Sequence, residues 1–339
     1  MSLPATFKRA AFHAKGEPLV IEEVPMLTPG KGEVLVKVEA CGVCYSDVYT
    51  KLNIMGGGFP LVPGHEVIGR VVAVSPDVNN WTVGARVGGA WHGGHDGTCL
   101  ACQAGHFQMC DLGIVNGVNR NGGYAEYCTL RAEAAVPIPE GIDGAKFAPI
   151  LCAGITMFNS LRRQRLVAGS TVAVQGLGGL GHLGIQYANK MGYRVVAISR
   201  GTDKEAFARS LGAHEYIDTN KGDAGEQLRA LGYASVIMTT SPDAKAIPGL
   251  LNGLGPEGKL LVLSVPGDIT INSGNLLHFG RSIQSWPSGH ARDSADAIRF
   301  AQLEGIDCMI EKFPLDKANE AFDAMMKGTV RFRAVITME

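Results

Sequence analysis

The stretch that most constrains this chain is Val172 to Gly184, VAVQGLGGLGHLG. The run Thr171 to Val174 reads as a short buried parallel strand. It breaks into Gly176, Gly178 and Gly181, spaced as G-x-G-x-x-G, and an apolar, helix-compatible stretch from Leu180 to Met191 follows. Strand, tight glycine turn and helix N-terminus are the context in which that spacing binds a dinucleotide. Gly176 allows the sharp turn, Gly178 leaves room for a pyrophosphate, and Gly181 lets helix and strand pack closely. The free N–H groups and positive end of the helix then face the phosphates. The turn residues Gly176, Gly178, Gly179, Leu180 and Gly181 are therefore candidate cofactor contacts.

Strand and helix patterns alternate after that turn. Candidate strands are Thr171 to Val174, Arg194 to Ile198, Glu215 to Ile217, Ser235 to Thr239, Lys259 to Leu263 and Ser282 to Gln284, which predicts a doubly wound parallel sheet. Residues 1 to about 150 instead show short strands such as Glu33 to Glu39, Val67 to Val74 and Ala85 to Ala90, punctuated by Gly, Pro and Asn: a β-rich domain. The tail, Asp293 to Lys327, reads as helical and ends in a strand, Phe332 to Thr337, expected to rejoin the first domain. With 339 residues, about two domains are expected. A net charge of −1 offers no basic field for nucleic acid or an anionic membrane, and no apolar run approaches the ~20 residues that span a bilayer. The first residues lack an apolar signal segment, so a cytoplasmic location is expected. Eight cysteines in such a chain point to ligands or nucleophiles rather than disulfides.

Cys44 in CGVCYSD, His65 in PGHE and Cys152 in LCAGIT make a Cys, His, Cys set that would leave a fourth zinc position open, the catalytic arrangement. Asp47, three residues after Cys44, is placed to accept the imidazole N–H of His65 and fix its tautomer. Glu66 adds a carboxylate near the metal. A second cluster, Asp96, Cys99, Cys102 and Cys110, has the spacing D-x2-C-x2-C-x7-C and suggests a closed structural zinc site, with His95 a neighbouring alternative to Asp96.

Together, CGVCYSD, GHEVIG, D-x2-C-x2-C-x7-C, LCAGIT, GLGGLG and the terminal RFRAVI resemble the zinc-dependent medium-chain alcohol dehydrogenase family over essentially the whole chain. The resemblance implies an α/β protein: a GroES-like β-rich catalytic domain, residues 1–153 and 287–339, interrupted by a Rossmann coenzyme domain, 154–286. It implies catalytic zinc on Cys44, His65 and Cys152, Ser46 on the substrate hydroxyl and proton path, and Arg333 on the coenzyme pyrophosphate. By analogy with family positions, Trp91 and Trp286 are candidate walls of the substrate pocket. Departures from the family pattern are Asp96 for a Cys, Ser75 for a Gly, Tyr49 for a proton-relaying His, and Tyr45 for a His or Arg.

The expected reaction is hydride transfer between an alcohol and a nicotinamide coenzyme, run in reverse on an aldehyde or ketone. The second strand of the predicted sheet ends at Ser199-Arg200 with no acid at its tip. An acid there bonds the ribose 2′-OH of NAD; a hydroxyl and a guanidinium suit the 2′-phosphate of NADP. Lys204 adds charge, and Val265 joins the coenzyme set. NADP(H) is expected over NAD(H), with about two zinc ions per chain. An NAD(H)-dependent alcohol dehydrogenase is the alternative, ahead of a zinc-free quinone or enoyl reductase or a non-enzymatic binding protein on the same fold. A homo-oligomer, dimer or tetramer, is expected from the resemblance, with Lys259 to Leu263 or Ser282 to Gln284 as an unpaired sheet edge.

Overall fold

Strand Glu33–Gly42 (EVLVKVEACG) organises the first sheet. One of its edges pairs with Val67–Val74. Its other edge is shared, Tyr127–Arg131 taking Glu33 to Lys37 and Arg333–Thr337 taking Ala40 to Gly42. Val34, Leu35, Val36 and Val38 are all buried, so both faces of this strand are covered, and it reads as a nearly continuous apolar run. Strands Arg86–Gly89, Val136–Pro137 and Ile310–Pro314 complete seven strands. Phe7, Phe12, Tyr124, Leu130 and Phe322 fill the core beside them.

The computed structural model describes residues 3–338. Two compact units emerge: one runs through Ile155 and resumes at Gly289, and the other is Thr156–Ser288. The last strand of the chain, Arg333–Thr337, belongs to the first unit's sheet. The expected helical tail is interrupted. Helix Ala291–Glu304 stops at Gly305, whose φ of 65° closes the C-terminus in the left-handed region. Strand Ile310–Pro314 then pairs in parallel with Arg333–Thr337 before helix Ala318–Lys327 begins.

In the second unit the sheet order is Glu215–Asp218, Arg194–Ser199, Thr171–Gln175, Ala234–Thr239, Leu254–Val262, Ser282–Gln284, and every neighbouring pair is parallel. Strand order reverses beside Thr171–Gln175, the point where doubly wound sheets receive ligands at the carboxyl ends of their strands. The segment Lys259 to Leu263, expected as a possible edge, is interior: Leu254–Val262 has a partner on each side, and Leu260 and Leu261 are buried. An apolar run of this kind marks a strand covered on both faces. The edge belongs to Ser282–Gln284. No described helix is long and apolar enough to cross a membrane.

Candidate metal centres and coenzyme turn

The chain reverses after strand Glu33–Gly42 and carries Cys44 into the short helix Asp47–Lys51. Asp47 is fully buried, and its carboxylate ties two loops together. It accepts the N–H of Cys44 (2.9 Å), the N–H of Gly64 (3.2 Å) and the phenol hydroxyl of Tyr124 (2.8 Å). Its Oδ1 lies 3.4 Å from His65 Nδ1, an ion-pair contact. The expected Asp47 to His65 relationship is therefore one of several. Asp47 fixes the backbone that bears Cys44 and the residue just before His65. Sequence spacing gave no signal for Tyr124, which lies 77 residues from Asp47.

Cys44, His65, Glu66 and Cys152 offer ligand atoms that all lie within 4.8 Å of one another. The Cys44 and Cys152 sulfurs are 3.8 Å apart. His65 Nε2 is buried with no hydrogen-bond partner, as is Glu66 Oε2, while Nδ1 has the 3.4 Å contact with Asp47. Buried polar atoms left in this state cost free energy unless something satisfies them. Two sulfurs and an imidazole, with a carboxylate beside them, are a donor set that fits zinc. The hydrogen bond from Cys152 holds the Cys44 thiol well below its ordinary value against the opposing effect of burial, with His65 and Arg333 assisting, so a thiolate ligand is available. Burial pushes Glu66 up to about 7 against the pull of Arg333. Arg333, buried on its strand, bonds the Glu66 carboxylate. A Cβ at Gly42 would overlap that carboxylate, so glycine is required there. Sequence reasoning placed Arg333 on a pyrophosphate and missed this pair, whose members stand 267 residues apart.

Ser46 immediately precedes helix Asp47–Lys51 and is half-buried. Trp91 stands edge-on to the His65 ring, centroids 4.9 Å apart, and the Tyr49 ring stands edge-on to Trp91 at 6.3 Å. Burial, and then the Cys44 thiolate, raise the Tyr49 phenol above its usual value. Tyr45 is exposed. Trp286 belongs to the second unit, with the Arg163 guanidinium 3.9 Å from its ring centroid.

Asp96, Cys99, Cys102 and Cys110 form the other gathered set, again within 4.8 Å. Asp96 Oδ1 accepts the N–H groups of Cys99 (2.8 Å) and Thr98, and Oδ2 accepts from the Cys110 thiol (3.1 Å). The Cys99 and Thr98 N–H groups are the main reasons its carboxyl sits well below the usual carboxylate range. Three sulfurs and one carboxylate oxygen fit a closed zinc site. His95 turns away to His92, at 3.1 Å between Nδ1 and Nε2, and stacks on Phe107 at 4.3 Å.

His92 itself is buried, and burial followed by the neighbouring His95 and His290 pushes its pKa down to about 3. The unfolded chain binds a proton near pH 6.5 that the folded chain refuses, so His92 favours folding above that pH and its contribution is lost as pH falls toward the folded value. Between about pH 7 and about pH 5 the loss should reach about 2 kcal/mol. Urea unfolding at both pH values checks this: His92→Gln should flatten the pH dependence, and an unchanged dependence would contradict it.

In the second unit, Gly176 adopts φ 94°, a region that glycine tolerates. A Cβ at Gly181 would overlap the Gly176 carbonyl, while one at Gly178 would meet no described atom within 4 Å. The fold thus demands Gly176 and Gly181 and leaves the space at Gly178 clear. Ser199 is buried at the end of its strand, Arg200 is exposed, Lys204 leads into helix Glu205–Ser210, and Val265 is exposed past strand Leu254–Val262.

Comparison with known proteins agrees with both units. An alcohol dehydrogenase GroES-like domain matches residues 30–140, and a zinc-binding dehydrogenase domain matches residues 179–302. An alcohol dehydrogenase (notN) of Aspergillus sp. (strain MF297-2) is 60% identical over 100% of both chains. An alcohol dehydrogenase (patD) of Penicillium expansum is 62% identical over 99% of this chain and 98% of its own. Among solved structures, a cinnamyl alcohol dehydrogenase of Sorghum bicolor superposes with a TM-score of 0.87 at 28% identity, covering 98% of this chain and 97% of that one. With two family domains and full-length relatives at this identity, the chain belongs to the zinc-dependent medium-chain alcohol dehydrogenase family, a family of oxidoreductases.

Proposed function

We propose that the protein is a zinc-dependent alcohol dehydrogenase and aldehyde or ketone reductase that prefers NADP(H) to NAD(H). The observation that carries the reading is the gathering of Cys44, His65 and Cys152, with His65 Nε2 buried and unpartnered among them. In this reading these three residues hold the catalytic zinc, and Asp96, Cys99, Cys102 and Cys110 hold a structural one. Zinc supplies Lewis acidity toward an alcohol or carbonyl oxygen, and the nicotinamide supplies the hydride chemistry. The chain's own residues do the rest. Asp47 holds the Cys44 and His65 loops in register. Ser46 accepts the alcohol proton and passes it outward. Glu66 keeps Arg333 in place beside the thiols. Trp91 walls the substrate side of His65.

Residues 156–288 form the coenzyme unit in this reading and the remainder the catalytic unit. The turn Gly176, Gly178, Gly179, Leu180, Gly181 takes the pyrophosphate, and Val265 lies along the coenzyme. Ser199, Arg200 and Lys204 read the 2′-phosphate, because the strand tip carries a hydroxyl and a guanidinium where an acid would repel it. A hydrogen bond to a charged group is worth ~1.5–3 kcal/mol, so losing Arg200 should weaken NADP(H) binding by about ten- to a hundredfold. The Ser199→Asp, Arg200→Ile double variant should shift preference toward NAD(H). Steady-state kinetics with both coenzymes test this: a wild-type kcat/KM higher for NADH than for NADPH would overturn it. Resemblance and the edge strand Ser282–Gln284 favour a cytoplasmic homo-oligomer, dimer or tetramer.

A further inference from the structure

The turn that ends the second strand of the parallel sheet is held from the strand beside it. Ser199 and Asp218 are register partners at the carboxyl ends of Arg194–Ser199 and Glu215–Asp218, the end of such a sheet where ligands bind. Asp218 is 6% exposed, and its Oδ1 accepts the N–H of Gly201 at 2.7 Å and that of Asn220 at 2.9 Å. Tyr216 lies two residues earlier, on the same face of the strand. It donates its phenol hydroxyl to the Gly201 carbonyl at 2.7 Å. Both polar groups of Gly201 are thus tied to one neighbouring strand. Gly201 itself adopts φ 74°, a backbone region open to glycine. Arg200 sits between two anchored residues with its side chain exposed.

We propose that Asp218 and Tyr216 are positioning residues for coenzyme discrimination. They hold the Ser199–Gly201 turn so that the Ser199 hydroxyl and the Arg200 guanidinium are already placed for the 2′-phosphate. The inference rests on the assignment of Arg200 to that phosphate. A guanidinium recognises phosphate through two parallel hydrogen bonds, which fail if its backbone swings. Ordering a loop at the moment of binding costs affinity, and a turn fixed in advance avoids that cost. Asp218 would repel a phosphate if its charge were bare, but its Oδ1 is engaged by two backbone N–H groups. NADH has no 2′-phosphate, so its affinity should not depend on the clamp.

Dissociation constants of NADPH and NADH, read from quenching of protein fluorescence on the full-length zinc-loaded protein, test this without turnover. Tyr216→Phe removes one hydroxyl and should weaken NADPH about three- to tenfold while leaving NADH within about twofold. Asp218→Asn keeps an acceptor for both N–H groups and should bind NADPH as the wild type does; Asp218→Ala should weaken it about tenfold. Equal loss for both coenzymes in Tyr216→Phe, or loss for neither, overturns the inference. So does an Asp218→Asn protein as impaired toward NADPH as Asp218→Ala. If Arg200→Ala weakens NADPH binding while Tyr216→Phe has no effect, the positioning role alone falls. If Arg200→Ala binds NADPH normally, the assignment of Arg200 falls and takes this inference with it.

Discussion

Cys44→Ala is expected to lower kcat/KM for alcohol oxidation by roughly 10³-fold or more, since Lewis-acid stabilisation is worth several kcal/mol and each 1.36 kcal/mol is about tenfold. The protein should stay folded. Cys44 sits at the end of a turn whose backbone is held independently, its N–H by Asp47 and the neighbouring Val43 N–H by the Ala334 carbonyl. The readout is nicotinamide absorbance with a panel of simple alcohols and aldehydes, beside circular dichroism of the same sample. Wild-type turnover in a folded Cys44→Ala protein would remove the proposed catalytic role.

Asp47→Ala should strongly destabilise the unit that carries Cys44 and His65. It strands three buried donors at once: the N–H groups of Cys44 and Gly64 and the Tyr124 hydroxyl. An unsatisfied buried donor costs ~1–3 kcal/mol, so a combined loss of at least about 3 kcal/mol is expected. Asp47→Asn retains an acceptor and should lose clearly less. Zinc affinity should fall about ten- to a hundredfold in Asp47→Ala, because the carboxylate also faces His65 Nδ1. Urea unfolding with and without chelator separates the two effects. A chelated Asp47→Ala protein that unfolds at the wild-type midpoint would show that Asp47 does not hold these loops.

Local patterns were legible where the physics is local. Strands such as Thr171–Gln175, Arg194–Ser199 and Ala234–Thr239 announce themselves because each is short, largely apolar and bounded by glycine or polar residues, and the glycine turn because its geometry admits few other residues. The exceptions are places where a distant partner decides. Ile310–Pro314 is a strand because Arg333–Thr337 lies alongside it, and nothing within IEKFP says so. Leu254–Val262 became interior through Ser282–Gln284, a three-residue partner too short to weigh by pattern. The residues around the first metal set divide the same way. Cys44, His65 and Cys152 stand out as chemical types within recognisable words. Tyr124 and the Glu66–Arg333 pair do not, because a tyrosine in a glycine-rich loop and an arginine near a terminus acquire meaning only when the sheet brings them to Asp47 and Glu66. His95, beside Asp96 in sequence, proved to belong to His92 and Phe107.

The most direct test of the account is the zinc content of purified protein by elemental analysis, measured with activity on the same samples. The wild type should hold about two zinc ions per chain and Cys44→Ala about one, with activity gone. A wild type that turns over alcohol without zinc, or a Cys44→Ala protein that keeps both its metal and its turnover, would contradict it.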